Sequence, residues 1–90
     1  MRANFLLGEL HIPAAVKRKL GRTPLDLIAR HAVNEHGYIT HEECERNIYG
    51  WMNAGPIMSR YFIDPTNPRA GNVVIVTDDG WLNTTVRLEK

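Results

Sequence analysis

Apolar residues recur at helical spacing in the first two thirds of the chain and alternate with polar residues near its C-terminal end. The clearest helical stripe, at positions i, i+3, i+4 and i+7, consists of Leu25, Ile28, Ala29 and Ala32. Thr23 and Pro24 are typical of an N-cap and a first helical residue, and Gly37 follows as a stop. The pattern predicts a helix over residues 24–36.

Three further helical segments are predicted, one before this helix and two after it. Pro13 and Gly21 bracket a predicted helix over residues 14–20, with the glycine as a left-handed cap. Thr40 and Glu43 match the T-x-x-E capping box, so a second helix starts at residue 40. This helix ends between residues 50 and 54, because Gly50 weakens its middle.

Two apolar groupings complete the helical region. The helix that starts at residue 40 carries one apolar face, which we expect to pack in the core: Cys44, Ile48, Trp51 and Met52. After the break at Gly55 and Pro56, a third short helix is predicted over residues 56–63 from the spacing of Ile57, Met58, Tyr61 and Phe62.

The C-terminal part changes to a period of two. Residues 72–77 are rich in β-branched side chains, and Asp78-Asp79-Gly80 is a turn signal. Leu82, Thr84, Val86 and Leu88 then alternate with polar residues. We therefore expect an α+β fold in which a small helical core of about three to four helices, over residues 23–63, precedes a β-hairpin over residues 72–88.

Composition and charge limit the class of protein. The 90 residues suit a single domain over residues 1–90, and 43% hydrophobic with 23% charged residues is ordinary for a globular chain. One cysteine excludes an internal disulfide. With no run of 18 apolar residues and no signal-peptide core, we expect a cytoplasmic protein that has no membrane partner.

The net charge of +1 is unevenly distributed. Residues 1–22, a basic N-terminal segment, contain five basic residues and one acidic residue, a net charge of +4. The rest of the chain contains six basic and nine acidic residues, a net charge of −3. A local basic segment of this kind can approach a phosphate backbone, although the whole molecule is not a polycation.

The order of predicted elements resembles the winged helix-turn-helix superfamily. The resemblance rests on residues 25–32, on Gly37-Tyr38-Ile39-Thr40-His41-Glu42-Glu43, and on the hairpin between Val73 and Leu88. It implies that the helix over 56–63 enters the major groove of double-stranded DNA and that the hairpin is the wing. The DNA contacts implied on this chain are Lys17, Arg18, Lys19, Arg22, Ser59, Arg60, Tyr61 and Arg69. The corresponding function is transcriptional or replication regulation.

Metal binding and catalysis are not expected. His31 and His36 are five residues apart on one predicted helix, about 140° from each other around its axis. His41 and Cys44 are closer, but Cys44 lies on the predicted apolar face, where a thiol is inert. No phosphate loop, nucleophile elbow or paired carboxylates occur. We therefore expect no enzyme activity, no metal and no cofactor.

An adaptor or inhibitor that binds another protein is the alternative function. Trp81 is expected at the start of the second hairpin strand, opposite its apolar face, where a tryptophan either packs or anchors an interface. Asp78 and Asp79 make the predicted wing tip acidic, which favours a protein over phosphate. A homodimer through the N-terminal segment or the hairpin edge is compatible with either function.

Overall fold

The computed structural model describes residues 3–89 and contains three helices and four strands in that part of the chain. The helices are α1 (Ala14–Leu20), α2 (Leu25–Ala32) and α3 (His41–Asn53). The strands are β1 (Glu9–His11), β2 (Ile57–Phe62), β3 (Asn72–Thr77) and β4 (Asn83–Glu89). Short 3₁₀ turns lie at Pro68–Ala70 and Asp79–Trp81. The α+β class predicted from the sequence is confirmed.

The four strands form one mixed sheet in the order β1-β4-β3-β2. β1 runs parallel to β4, whereas β3 is antiparallel to both β2 and β4. Ile75, in the middle of β3, lies opposite Ser59 on one side and Val86 on the other. The sheet packs against α1 and α2 in a core that consists of Val16, Leu27, Ile28, Tyr61, Val73, Ile75 and Val86.

The helix predicted over residues 56–63 is wrong, because β2 occupies that segment. Its burial alternates, with Ile57, Ser59 and Tyr61 buried and the residues between them half-buried. This is the period of a strand. Ser59 obscured that period in the sequence because it is a polar residue on the buried side. The predicted helical core over 23–63 therefore ends, as helix, at Asn53.

Helix α2 is shorter than the predicted span of 24–36. It ends at Ala32, and Asn34 then adopts a left-handed backbone with φ of 63°. The Glu35 amide donates back to the Arg30 carbonyl at 2.9 Å, which closes the end of the helix. Thr23 provides no side-chain cap at its start. As a result, His36 is not part of the helix and lies in the link between α2 and α3.

The predicted start of α3 and its capping box are confirmed. The Glu43 amide donates to the Thr40 hydroxyl at 3.1 Å, and the Thr40 amide donates to the Glu43 carboxylate at 2.8 Å. The predicted burial of its apolar face is wrong: Cys44, Ile48, Trp51 and Met52 are exposed. The residues of α3 that are buried instead are Asn47 and Gly50.

Small and polar residues are buried on α3 because that side packs against the outer edge of β2. The Asn47 side chain accepts from the Met58 amide and donates to the Met58 carbonyl, both at 2.8 Å. A side-chain amide thus satisfies the two backbone groups that an edge strand leaves unpaired. Farther along β2, the Tyr38 amide donates to the Arg60 carbonyl, and the Arg60 amide donates to the His36 carbonyl.

Between residues 3 and 89, none of the helices has the length and apolar character needed to cross a lipid bilayer.

We expect the substitution Gly50→Ala to destabilise the fold even though alanine is the better helix former. A Cβ at this position would lie 2.1 Å from the Pro56 carbonyl oxygen, so α3 would have to move away from β2. The expected loss in the free energy of unfolding, measured by urea denaturation, is at least about 2 kcal/mol.

The control for this substitution is Gly21→Ala. Gly21, unlike Gly50, has a left-handed backbone, but a Cβ there meets nothing within 4 Å. We expect this variant to lose only about 1 kcal/mol, the ordinary cost of a left-handed non-glycine residue. A Gly50→Ala variant as stable as the parent would show that α3 does not need this close approach.

Candidate functional site

The three residues expected to read a DNA groove do not form one free surface. Ser59 and Tyr61 are buried on β2, with 0% and 3% of their surface exposed. Arg60 lies on the other face of the strand and is held by two carboxylates, Glu43 and Glu89, each at 2.7 Å. The Arg60 contact holds the pKa of Glu43 down at about 2, so the carboxylate stays charged.

The other predicted phosphate contacts are exposed. Lys17, Arg18 and Lys19 form the last turn of α1, and Arg22 follows the left-handed cap at Gly21. The carboxylate of Asp26, in the first turn of α2, forms an ion pair with Arg22. Arg69 lies in the 3₁₀ turn between β2 and β3. These residues come from two separate parts of the sequence.

Two neighbouring cavities join these parts into what we call the basic groove. One, of about 520 Å³, lies between α2 and β2, and the other, of about 580 Å³, lies between α1 and the β2–β3 connection. Ile63 lines both. Their walls include two acidic side chains, Asp26 and Glu89, against five cationic ones: Lys19, Arg22, Arg30, Arg60 and Arg69. The groove therefore has an excess of positive charge.

Aromatic rings line the same groove beside Arg30. The Arg30 guanidinium lies over the Tyr61 ring, 4.8 Å from its centroid. Tyr38 packs at a tilt against Phe62, with ring centroids 5.2 Å apart and an angle of 35° between the planes. Tyr38 is 64% exposed, so its outer face is open to solvent. A planar cation and an accessible aromatic face thus occur together.

Sequence reasoning missed Arg30 and Tyr38. Arg30 is on the polar side of α2, and only the fold brings it over Tyr61. Tyr38 is placed by Gly37, whose φ is 71° and where a Cβ would be 2.2 Å from the Arg60 carbonyl. The Gly37-Tyr38 dipeptide in a short link was the available signal, because glycine permits a close backbone approach.

A chain of buried hydrogen bonds lies beneath this surface. The Ser59 hydroxyl is 2.6 Å from Nδ1 of His31 and 2.7 Å from Nδ1 of His36. Nε2 of His31 is 2.9 Å from the Thr77 hydroxyl, which is 2.7 Å from that of Thr84. The two histidines therefore converge on Ser59, contrary to their expected separation around one helix, because α2 ends between them.

The proton positions in this series of hydrogen bonds follow from its last acceptor, the Leu7 carbonyl. The Thr84 hydroxyl donates to the Leu7 carbonyl at 2.6 Å, so it must accept from Thr77. Thr77 in turn accepts from Nε2–H of His31, which leaves Nδ1 of His31 to accept from Ser59. Ser59 then accepts from Nδ1–H of His36. This assignment takes His31 as neutral, as its low pKa of about 3 requires, and places a proton on Nδ1 of His36.

Burial supports the neutral state of both histidines. His31 is fully buried, and desolvation, followed by its proximity to His36, lowers its pKa to about 3. Burial also lowers the pKa of His36. Since every hydroxyl and imidazole in the chain has a partner, the network is a structural connection between α2 and three strands, with no free nucleophile.

The histidine and cysteine side chains considered from the sequence as metal ligands lie in different environments. His41 is at the exposed start of α3 with Nε2 2.8 Å from Glu45, and Cys44 is exposed instead of buried in the core. Over residues 3–89, no group of three or more His, Cys, Asp or Glu side chains could hold a metal ion.

The residues predicted for a protein interface stabilise a turn. Trp81 precedes β4 instead of starting it, has a φ of 59°, and donates from Nε1 to the Gly55 carbonyl at 3.0 Å. The Asp78 carboxylate accepts from the Leu82 and Asn83 amides. Asp79 is exposed beside them. Trp81 and Asp78 are therefore largely engaged within the chain.

Comparison with known proteins does not assign this chain to a family. No family model matches it, and no curated protein or solved structure shows significant similarity. The function must therefore be inferred from the geometry of the surfaces described above.

We expect stability to fall as the pH drops from about 7.5 to about 5. In the unfolded chain His31 takes up a proton below its ordinary pKa of 6.5, whereas in the folded chain it stays neutral down to about pH 3. The unfolded state therefore binds more protons across this range. The free energy of unfolding should decrease by up to about 1.4 kcal/mol per pH unit for such a histidine.

Two measurements check this expectation. Urea denaturation at several pH values gives the slope. Nitrogen NMR of the imidazoles should show His31 protonated on Nε2 and His36 on Nδ1 at neutral pH. If His31 titrated near its ordinary pKa, the buried chain described here would be incorrect.

Proposed function

We propose that this chain binds single-stranded nucleic acid along the basic groove. The observation that supports the proposal most directly is the exposed ring of Tyr38, which packs at a tilt against Phe62 and lines the same cavity as Arg30. Non-specific single-strand binders combine a cationic groove for the backbone with aromatic faces on which bases stack. Both parts are present here within one groove.

The cationic residues differ in their availability. Arg60 is neutralised by Glu43 and Glu89, so we assign it a role in the fold. Arg22 shares its charge with Asp26 at an exposed site, where such a pair is weak and a phosphate can compete for the guanidinium. Lys19, Arg30 and Arg69 form no ion pair among residues 3–89 and are the proposed phosphate contacts.

A single strand fits this groove better than the double-stranded DNA expected from the sequence. The duplex hypothesis placed a helix at residues 56–63, where β2 lies. Within a duplex the faces of the bases are covered by their neighbours, and only unpaired bases can stack on an aromatic side chain. The exposed Tyr38 ring therefore favours unpaired bases. Regulation of transcription or replication through a duplex site stays a competing proposal.

The test is fluorescence anisotropy with a labelled single strand of about 12 nucleotides, compared with the matching duplex, at about 50 and about 200 mM salt. We expect the single strand to bind more tightly and its affinity to fall steeply with salt. Tyr38→Ala should weaken binding at least about fivefold, because stacking contributes about 1–3 kcal/mol per base. Arg30→Gln and Arg69→Gln should each reduce the salt dependence.

Matched controls distinguish an effect of the groove from the general effect of removing a positive charge or an aromatic ring. Tyr49→Ala removes an equally exposed tyrosine on α3, and Arg87→Gln removes an exposed cation on β4 that lines neither cavity. Neither should change the affinity much. Absence of binding at the lower salt concentration would contradict the proposal, as would equal losses for Tyr38→Ala and Tyr49→Ala.

A further inference from the structure

Within residues 3–89, the sheet has one open edge, along β1. The outer side of β2 is covered by Asn47 and by residues 36–38. At the other end of the order β1-β4-β3-β2, β1 pairs with β4 and has no strand on its outer side. All three residues of β1 are exposed. An uncovered strand edge is a template for pairing with another chain.

The backbone of Leu10 faces this open edge. The Glu9 amide donates to the Leu82 carbonyl at 2.9 Å, so the backbone groups of Glu9 point toward β4 and its preceding turn. Because backbone donors and acceptors alternate in direction along a strand, those of Leu10 point the opposite way. Leu10 therefore presents one N–H and one C=O to a partner strand.

The side chains of β1 divide between the two faces of the sheet. Leu10 lies beside Thr84, which is buried, so the Leu10 side chain is on the side of the core and is 41% exposed. Glu9 and His11 lie on the opposite side, where Nε2 of His11 is 2.9 Å from Oδ1 of Asn83. Glu9 forms no ion pair among residues 3–89. An acidic and a basic side chain thus flank Leu10 on one face.

We propose that β1 pairs with β1 of a second copy of the chain, antiparallel and about a two-fold axis at Leu10. In this register the Leu10 amide of each copy donates to the Leu10 carbonyl of the other. Glu9 of each copy lies opposite His11 of the other, so the same pair of opposite charges forms twice. The two Leu10 side chains meet on the other face. The sheets of the two copies then form one continuous sheet.

The charges select both the occupant and the register. The run Glu9-Leu10-His11 is complementary to itself when two copies lie antiparallel about Leu10. Parallel pairing in register, or antiparallel pairing centred on Glu9, would place two carboxylates side by side. Antiparallel pairing centred on His11 would place two imidazoles opposite each other. Only the register centred on Leu10 gives each charge a partner of opposite sign.

The short strand limits the association to a weak dimer. β1 has three residues, and Pro13 has no N–H with which to extend the ladder. A two-fold arrangement uses the open edge of both copies, so the assembly closes at two chains. A contact of this size is typical of weak complexes, and we expect a Kd on the order of 0.1 mM. The proposal does not rest on the function proposed for the basic groove, because no residue of β1 lines it.

Charge reversal tests the pairing of Glu9 with His11. Sedimentation equilibrium of the full chain at about pH 6, where imidazoles take up protons readily, is compared with that of Glu9→Lys and of His11→Glu. We expect each variant alone to associate at least about tenfold more weakly, because like charges then face each other in both pairs. An equimolar mixture of the two variants should regain the dimer, because both pairs again join opposite charges.

A matched control and a backbone measurement accompany this test. Glu42→Lys makes the same charge change at an exposed position of α3 and should leave the association unchanged. Amide hydrogen exchange should slow at Leu10 by at least about twofold between about 0.02 and about 1 mM protein. The Glu9 amide, bonded to Leu82 within the chain, should exchange at the same rate at both concentrations.

Four results would overturn the proposal. One is a chain that stays monomeric up to about 1 mM. Another is a mixture of the two charge variants that does not associate. Self-association that is insensitive to Glu9→Lys would assign the contact to another register or surface. Slow exchange of the Leu10 amide in dilute solution would show that the edge is already covered within one chain.

Discussion

The arrangement of helices and strands in this protein depends on the hydrogen bonds of the Ser59 hydroxyl, which is buried between two histidines. This hydroxyl connects β2 to α2 through His31 and to the following link through His36. From His31 the chain of hydrogen bonds continues through Thr77 and Thr84 to the Leu7 carbonyl, and so reaches β3, β4 and the N-terminal segment. A fully satisfied buried polar network of this kind specifies one packing, because any shift leaves a buried group without a partner.

The placement of β2 follows from this network and determines which faces of its neighbours are exposed. β2 is one of the two outer strands of the sheet, and its free edge is covered by Asn47 and by residues 36–38. Covering the edge with Asn47 turns the polar and glycine side of α3 inward, so its apolar stripe faces out. Covering it with residues 36–38 brings Tyr38 against Phe62 at the mouth of the basic groove. One requirement, the pairing of an edge strand, thus produces an exposed aromatic ring and an exposed apolar helix face.

Local signals in the sequence predicted the elements that local interactions define. The capping box at Thr40 and Glu43 and the left-handed cap at Gly21 need only a few neighbouring residues, and both occur in the structure. β2 could not be recognised in this way. Ser59 can be buried because it forms hydrogen bonds with His36 and His31, which are 23 and 28 residues away in the sequence. The apolar stripe of α3 was assigned to the core for the same reason. Periodicity shows that one face of α3 is apolar. Which face of α3 is buried is decided instead by the hydrogen bond between Asn47 and Met58.

The residues of the candidate site also differ in whether the sequence alone could predict them. Lys19, Arg22 and Arg69 were among the phosphate contacts that the winged-helix resemblance implied, whereas Arg30 and Tyr38 join them only through the fold. The net charge of +1 could not indicate this site, because the cations of the groove are offset by acidic residues elsewhere in the sequence. The fold collects five cationic side chains and only two acidic ones along the walls of the two cavities. This local excess of positive charge, and not the net charge of the whole chain, is what a phosphate backbone would meet.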